Sequence, residues 1–248
     1  MTNITPIHTD FSIEGISVIT INRPQRKNAV CVLAGAGDTF CAGADLHGVA
    51  QANHETPAAN LQPVEGRNLG PMGPSRMMVK KPVICAVSGY AVAGGLELSL
   101  LADMRVVEED AVFGVFCRRW GVPLIDGGTV RLQAIVGLGR ALDMILTGRP
   151  VGAQEALSMG LASRVVPRGE SLKEAIALAK QLIAFPELCL NTDRGSCYYS
   201  AYDARSFEDA MGQEFNAGRK VISKEAIAGA ARFSAGSGRH GRFDESKL

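Results

Sequence analysis

Apolar positions along this chain change period several times, and each change predicts an element. Phe11 to Asn22 alternates around Glu14-Gly15, with Phe11 and Ile13 before the pair and Ile16, Val18, Ile19 and Ile21 after it. That pattern predicts a hairpin or two-stranded meander, closed by Arg23-Pro24. Gln25 to Val30 (QRKNAV) reads as a polar turn, and Cys31 to Ala34 as a short apolar strand stopped by Gly35-Ala36-Gly37-Asp38. Thr39 to Leu46 (TFCAGADL) is a strand end running into a small-residue loop, where backbone can approach a ligand closely. His47 to Met72 is polar, with four prolines from Pro57 to Pro74. It predicts a mobile loop serving as lid or pocket wall, with one short helical piece near Leu46–Ala52. His47 and His54 fall here, and neither is assigned a role.

The pattern tightens after Lys80-Lys81. Pro82 to Val87 is a continuous apolar run, a buried strand ending at Ser88-Gly89-Tyr90. Ala91 to Asp103 (AVAGGLELSLLAD) then passes through two glycines into an apolar, helix-favouring run. A strand, a glycine turn and a helix start leave bare backbone N–H groups, a place suited to an anion or a developing oxyanion. Glu97 comes one turn later among Leu96, Leu98, Leu100 and Leu101. A carboxylate on so buried a helix has a raised pKa, the usual condition of a general acid or base near neutral pH. The same residues also describe a tightly packed helix start with Glu97 as a first-turn dipole partner.

Further on, Asp103–Val107 predicts a strand, Glu108-Glu109-Asp110 a turn and Ala111–Val115 another strand. FCRRW (Phe116–Trp120) follows, then a helix from Thr129 to Val136 that starts through Asp126-Gly127-Gly128. Arg140–Thr147 is a helix with Leu142, Ile145 and Leu146 on one side. Another starts at Val151, and Val165–Pro167 is a short extended exit. Strands alternating with helices predict an α/β core with mostly parallel strands. After Ser171 the chain turns helical, over Leu172–Ile183, Phe207–Ile222 and Lys224–Phe233, with a small, basic, polar tail from Ser234. The division expected is residues 1–170 as the core and 171–248 as a helical region that forms a lid, an oligomer interface or a layer folded back on the core.

Composition narrows the function class. The 248 residues, 46% hydrophobic and 21% charged, fit one α/β domain with a full core, or one domain plus a small helical appendage. A net charge of +1 gives no nucleic-acid footprint. No apolar run approaches the ~20 residues of a membrane helix. Met1 to Ile16 carries Asp10 and Glu14 without an apolar h-region, and is a poor match to an Arg-rich transit peptide. The expectation is a cytoplasmic protein, with a mitochondrial one as the alternative. The six cysteines have no CxxC spacing and read as reduced core thiols. Neither a metal site nor a GxxxxGK phosphate loop is visible, so no cofactor is expected.

FCAGADL, KKPVICAVSGYAVAGGLELSLLAD, AVFG, GGTVRL and LTGRPVGAQEALSMGLASRVVP, in this order and at this spacing, resemble the crotonase (enoyl-CoA hydratase/isomerase) superfamily over nearly the whole chain. The resemblance implies a spiral of ββα units followed by a helical oligomerisation region, with a homotrimer or a dimer of trimers as the assembly. It also implies an acyl-CoA substrate, which itself carries the coenzyme A, and an enolate-like anion held by two backbone N–H groups. The donors match Ala44 and Gly94. Two preorganised donors of this kind contribute several kcal/mol to transition-state stabilisation. The CoA- and substrate-binding positions implied are Lys27, Ala29, Ala42, Ala44, Asp45, Leu46, Gly94 and Cys117. The nominal activity implied is that of a lyase hydrating 2-enoyl-CoA, as in fatty acid metabolism. An enoyl-CoA isomerase using one carboxylate and a catalytically impaired CoA-thioester-binding protein are the alternatives.

The chain departs from the family at two places. Hydratases of the family hold one water between two glutamates; the first matches Glu97, but the second falls at Cys117. A structural thiol is one reading of Cys117 and a nucleophile the other. Asp126 is the candidate replacement acid/base, since some relatives place an aspartate near this position; it is also a preferred helix N-cap residue. Arg118 and Arg119 pair with Asp126 or Glu97, or are surface charges. Finally, relatives carry an amphipathic helix between the positions of Val30 and Cys31, and this chain does not. A parallel crossover needs a dozen or more residues. Either the first turn of the spiral is rearranged or the chain is a shortened form, and loss of the helix is expected to expose apolar sheet surface and lower solubility.

Overall fold

The computed structural model describes residues 7–13, 16–21, 30–51 and 63–236, the first two segments through their backbone. The strands are β1 (Ile7–Ile13), β2 (Ile16–Ile21), β3 (Cys31–Gly35), β4 (Val83–Val87), β5 (Tyr90–Val92), β6 (Met104–Glu108), β7 (Val112–Gly114), β8 (Val151–Gly152) and β9 (Arg164–Val166). The helices are α1 (Leu46–Gln51), α2 (Gly94–Ser99), α3 (Gly128–Val136), α4 (Leu138–Thr147), α5 (Ala153–Ser158), α6 (Ser171–Ala184), α7 (Glu187–Tyr202), α8 (Phe207–Val221) and α9 (Ile227–Ser234). Six strands form one sheet in the order β1-β2-β3-β4-β6-β9, and three form a second in the order β5-β7-β8. The run β3-β4-β6-β9 is parallel, as expected of an α/β core.

Both faces of the larger sheet are covered, which explains why β4 reads as an unbroken apolar run. Leu33, Val83, Cys85, Val87 and Val107 point into a core shared with Phe113, Leu96, Leu98, Leu132 and Met144. Val30, Val32, Ala34, Ile84, Ala86 and Val106 point the other way, onto Ala175, Leu178 and Ala179 of α6. The first helix after Ser171 therefore packs on the sheet itself.

The N-terminal hairpin is present, with β1 antiparallel to β2. β2 is also antiparallel to β3, with Ile16 opposite Gly35 and Thr20 opposite Cys31. An antiparallel neighbour needs no crossover, so the first turn is rearranged: a short connection suffices where a parallel pair would need a helix. The exposed apolar surface expected here is not found on β3, whose outer face is buried under α6. Arg23-Pro24 and QRKNA, with Lys27 and Ala29, lie outside the described residues, as do 52–62, including His54, and the tail from residue 237.

Three further expectations change. Glu108 is the buried last residue of β6, where its carboxylate accepts a hydrogen bond from the Ser171 hydroxyl at 2.7 Å, and is not part of a turn. On α4 the buried residues are Ala141 and Met144, whereas Leu142 and Leu146 face solvent with Leu138. Cys189 and Cys197 are exposed on α7, so not all six thiols lie in the core.

Two polar groups, the buried Arg105 and the half-buried Asp103, fix the elements that carry the site. The Arg105 guanidinium donates to the carbonyls of Ser99 (3.2 Å), Ala102 (2.7 Å) and Leu161 (2.5 Å). It caps the last turn of α2 with a cation, the charge that end of a helix favours, while burial draws its pKa below the ordinary guanidinium range. Asp103 accepts from the Val83 N–H (2.6 Å), Arg194 Nε (2.8 Å) and the Tyr198 hydroxyl (2.6 Å), tying α7 to the β4–β6 edge.

Candidate active site

The Cys41–Leu46 loop and the start of α2 are brought together by main-chain pairing. Cys41 N–H donates to Tyr90 O at 2.9 Å, and Val92 N–H donates to Cys41 O at 3.1 Å. The chain then turns from β5 into α2 through Ala93, whose φ of 53° lies in the left-handed region that a residue with a side chain rarely adopts. This turn leaves the Gly94 N–H at the first position of α2, ahead of the helical hydrogen-bond ladder. Small residues are obligatory around it. A Cβ on Gly43 (φ 94°) would lie 2.9 Å from Gly94 N, and a Cβ on Gly95 would overlap the Cys41 carbonyl. Gly43 thus presses directly on Gly94, and Ala44, the next residue, is exposed beside it, as are Ala42, Asp45 and Leu46. Asp45 Oδ1 accepts the His47 N–H at 2.9 Å at the start of α1.

Glu97 is 3% exposed. Its Oε1 accepts two backbone N–H bonds, from Asp126 and from Gly128, each 2.9 Å. A Cβ on Gly128 would approach Glu97 Cγ to 2.8 Å, so glycine at the first position of α3 is what admits the carboxylate. Burial raises the Glu97 pKa from 4.5 to about 7; the two amide donors and the nearby Asp126 charge are smaller influences. A carboxyl group held at one oxygen and poised near neutrality can both take and return a proton.

Asp126 is also buried, and it is not the helix N-cap that its position before Gly127-Gly128 allowed. Gly127, at φ 96°, is the N-cap of α3. Asp126 Oδ1 accepts the Met72 N–H at 3.0 Å and the Ser75 hydroxyl in a very short bond. Cys117 is buried in a short 3₁₀ turn (Phe116–Trp120), and burial together with the Glu97 charge pushes its thiol up. Arg118 donates to Ile145 O at 3.0 Å and Arg119 stacks over Phe116. Both arginines are thus surface charges directed away from Glu97 and Asp126.

The loop expected over His47–Met72 runs into the segment Gly70–Met77, whose tethers the sequence did not show. Its Gly70–Gly73 turn is closed by reciprocal main-chain bonds of 2.8 and 3.0 Å and carries Met72 onto Gly94. GPMGP, with two glycines and two prolines in five residues, was the available sign of a tight turn. A cleft of about 380 Å³ opens elsewhere, between Val30, Pro82 and the C-terminal end of α6. Neither Glu97 nor the Ala44 and Gly94 segments line it. Among the described residues no group of three or more His, Cys, Asp or Glu is placed to hold a metal ion, and no helix is long and apolar enough to cross a membrane.

The site thus joins a buried carboxylate to a glycine-lined helix start on a two-sheet α/β core. Residues 29–196 match the enoyl-CoA hydratase/isomerase family. The chain is 34% identical over 197 residues to the enoyl-CoA hydratase EchA19 of Mycobacterium tuberculosis, covering 67% of this chain and 71% of that one. It is 37% identical over 194 residues to the mevalonyl-coenzyme A hydratase SIDH of Beauveria bassiana, covering 67% and 69%. A crystal structure of an enoyl-CoA hydratase from Mycobacterium tuberculosis H37Rv superposes with a TM-score of 0.74 at 30% identity, over 93% of this chain and 96% of that one. The chain belongs to the enoyl-CoA hydratase/isomerase (crotonase) family, whose members act on acyl-CoA thioesters.

Proposed function

We propose that this protein hydrates a 2-enoyl-CoA, with Glu97 as its proton-transferring group and the N–H groups of Ala44 and Gly94 as the oxyanion donors. The observation that carries the reading is the Glu97 carboxylate, bound at Oε1 by two α3 amides and raised to about 7, beside a helix start stripped of side chains. Ionised Glu97 takes a proton from water as the water oxygen bonds to C3. The C2–C3 π electrons move onto the thioester oxygen, where the two N–H groups stabilise the enolate. Glu97 then returns the proton to C2, leaving a 3-hydroxyacyl-CoA. The relatives named above are hydratases, which supports the same reaction. Lys27, Ala29, Ala42, Asp45 and Leu46 are proposed to contact the CoA moiety, and Cys117 to line the acyl pocket.

Cys117 favours a second reading. With a thiol in place of the second glutamate, Glu97 could instead move a proton between C2 and C4 of a 3-enoyl-CoA, an isomerisation. Incubation of 2-enoyl- and 3-enoyl-CoA in ¹⁸O-labelled water separates the two. Hydration is expected, with labelled oxygen at C3 of the product. A shifted double bond without label would make the protein an isomerase, and bound but unchanged thioesters would make it a binding protein.

We also propose that the protein is a homo-oligomer. α8 and its continuation present Phe207 (82% exposed), Met211, Phe215 (68%) and Ile227 (63%), large apolar side chains that a neighbouring subunit would cover. Sedimentation is expected to give a trimer or a multiple of it; a monomer at micromolar concentration would refute this.

A further inference from the structure

The Gly70–Met77 segment is fastened to the mount that holds Glu97. Asp126 Oδ1 binds Met72 N–H and the Ser75 hydroxyl. The Arg131 guanidinium binds the carbonyls of Ser75 and Met77, the latter at 2.9 Å. Arg76 reaches back to Ile125 O at 3.3 Å. All three tethers meet residues 125–131, and the Asp126 and Gly128 N–H groups there are the donors to Glu97. The product of this fastening is the position of Met72. A Cβ on Gly94 would lie 2.7 Å from Met72 Sδ and 2.9 Å from its Cγ, so the thioether lies against the glycine proposed above as an oxyanion donor.

We propose that Met72 is the specificity-determining wall of the acyl site and that Asp126 is the positioning residue that holds it there. The inference rests on the acyl-CoA reading above. A thioester whose oxygen sits on Gly94 places C2 between that donor and Glu97. Met72, bonded through Asp126 to the Glu97 mount, lies against Gly94, so a methyl group on C2 would be directed at its thioether. The enzyme therefore takes straight 2-enoyl thioesters and rejects those branched at C2. Asp126 acts through Met72, so its loss alters the choice of substrate as well as the rate.

The test compares kcat/KM for but-2-enoyl-CoA and 2-methylbut-2-enoyl-CoA in the wild type, Met72→Ala, Asp126→Asn, Ser75→Ala and the Met72→Ala/Asp126→Asn pair. Met72→Ala is expected to raise the branched-to-straight ratio about tenfold or more, the scale of one methyl group in a fitted pocket. Asp126→Asn and Ser75→Ala are expected to raise it by a smaller factor, and Asp126→Asn to add nothing once Met72 is alanine. Ser75→Ala reports on the same latch should Asp126→Asn fail to fold, and Met72→Val on the same wall. A ratio within about twofold of the wild type in the Met72 variants overturns the proposal. So does an equal loss on both substrates in Asp126→Asn with one limb of the pH–rate profile gone, which would make Asp126 a proton-transfer group. Calorimetric binding of butanoyl-CoA and 2-methylbutanoyl-CoA reads the same wall without turnover. If no enoyl thioester reacts, the reading of function fails and these binding ratios alone decide whether the wall stands.

Discussion

Replacing Glu97 by glutamine is expected to reduce kcat/KM by about 10²–10⁴-fold, the range of a lost general acid/base, and to leave the protein more stable than the wild type above neutral pH. The two effects share one cause. Burial raises the Glu97 pKa from 4.5 to about 7 in the folded chain. Below pH 4.5 the carboxyl group is neutral in both folded and unfolded states, and it imposes no electrostatic cost. Between 4.5 and 7 the unfolded chain releases its proton first, so stability falls as pH rises, and above 7 the full cost of about 3 kcal/mol remains. Glutamine imitates the neutral acid and can still accept from the Asp126 and Gly128 amides. Urea unfolding of both proteins at pH 5 and pH 8 measures the difference: the stability gap should open with pH in favour of Glu97→Gln. The wild-type kcat/KM should rise through a pKa near 7, because the free enzyme must present the ionised form to take a proton from water. A flat stability gap, or a variant retaining more than about a tenth of its activity, would remove Glu97 from the proton-transfer role.

Gly43→Ala tests the other half of the site. The new methyl group would stand 2.9 Å from Gly94 N and 3.0 Å from Ala93 Cβ, on a backbone with φ of 94°. It covers the Gly94 donor and displaces the neighbouring Ala44. Loss of one oxyanion donor lowers kcat by about 10²–10³-fold. The backbone strain costs a further 1–3 kcal/mol or so of stability. Gly37 provides the control, because it has a similar φ of 77° but nothing within 4 Å of its would-be Cβ. Gly37→Ala should show comparable strain in thermal unfolding with turnover unchanged. Equal activity losses in the two variants would mean that strain, not the covered donor, accounts for the effect of Gly43→Ala.

Much of the fold was legible because it depends on neighbours in the chain. The alternation of Phe11 to Ile21 predicted the hairpin, the run at Val83–Val87 a strand buried on both faces, and the two glycines before Leu96 a helix start. The burial of Glu97 followed from its leucine neighbours. What misled was partnership across the chain. Leu142 and Leu146 have helical spacing, and nothing local says that Ala141 and Met144 are the residues turned inward. Asp126 sits where a cap residue would sit, yet its hydrogen-bond partners lie 54 and 51 positions away. The spacing between β2 and β3 showed that a parallel crossover helix was missing, and the sheet answered by pairing them antiparallel.

The sequence by itself determined the kinds of elements, the glycine-lined helix start and the buried carboxylate, since each follows from side-chain period or from backbone angles that glycine reaches at little steric cost. Only the tertiary structure decided which groups meet Glu97, what Asp126 holds and where Met72 lies. Those contacts join residues some thirty to fifty-five positions apart. They are selected by how two sheets and the helices between them pack, which no local pattern encodes.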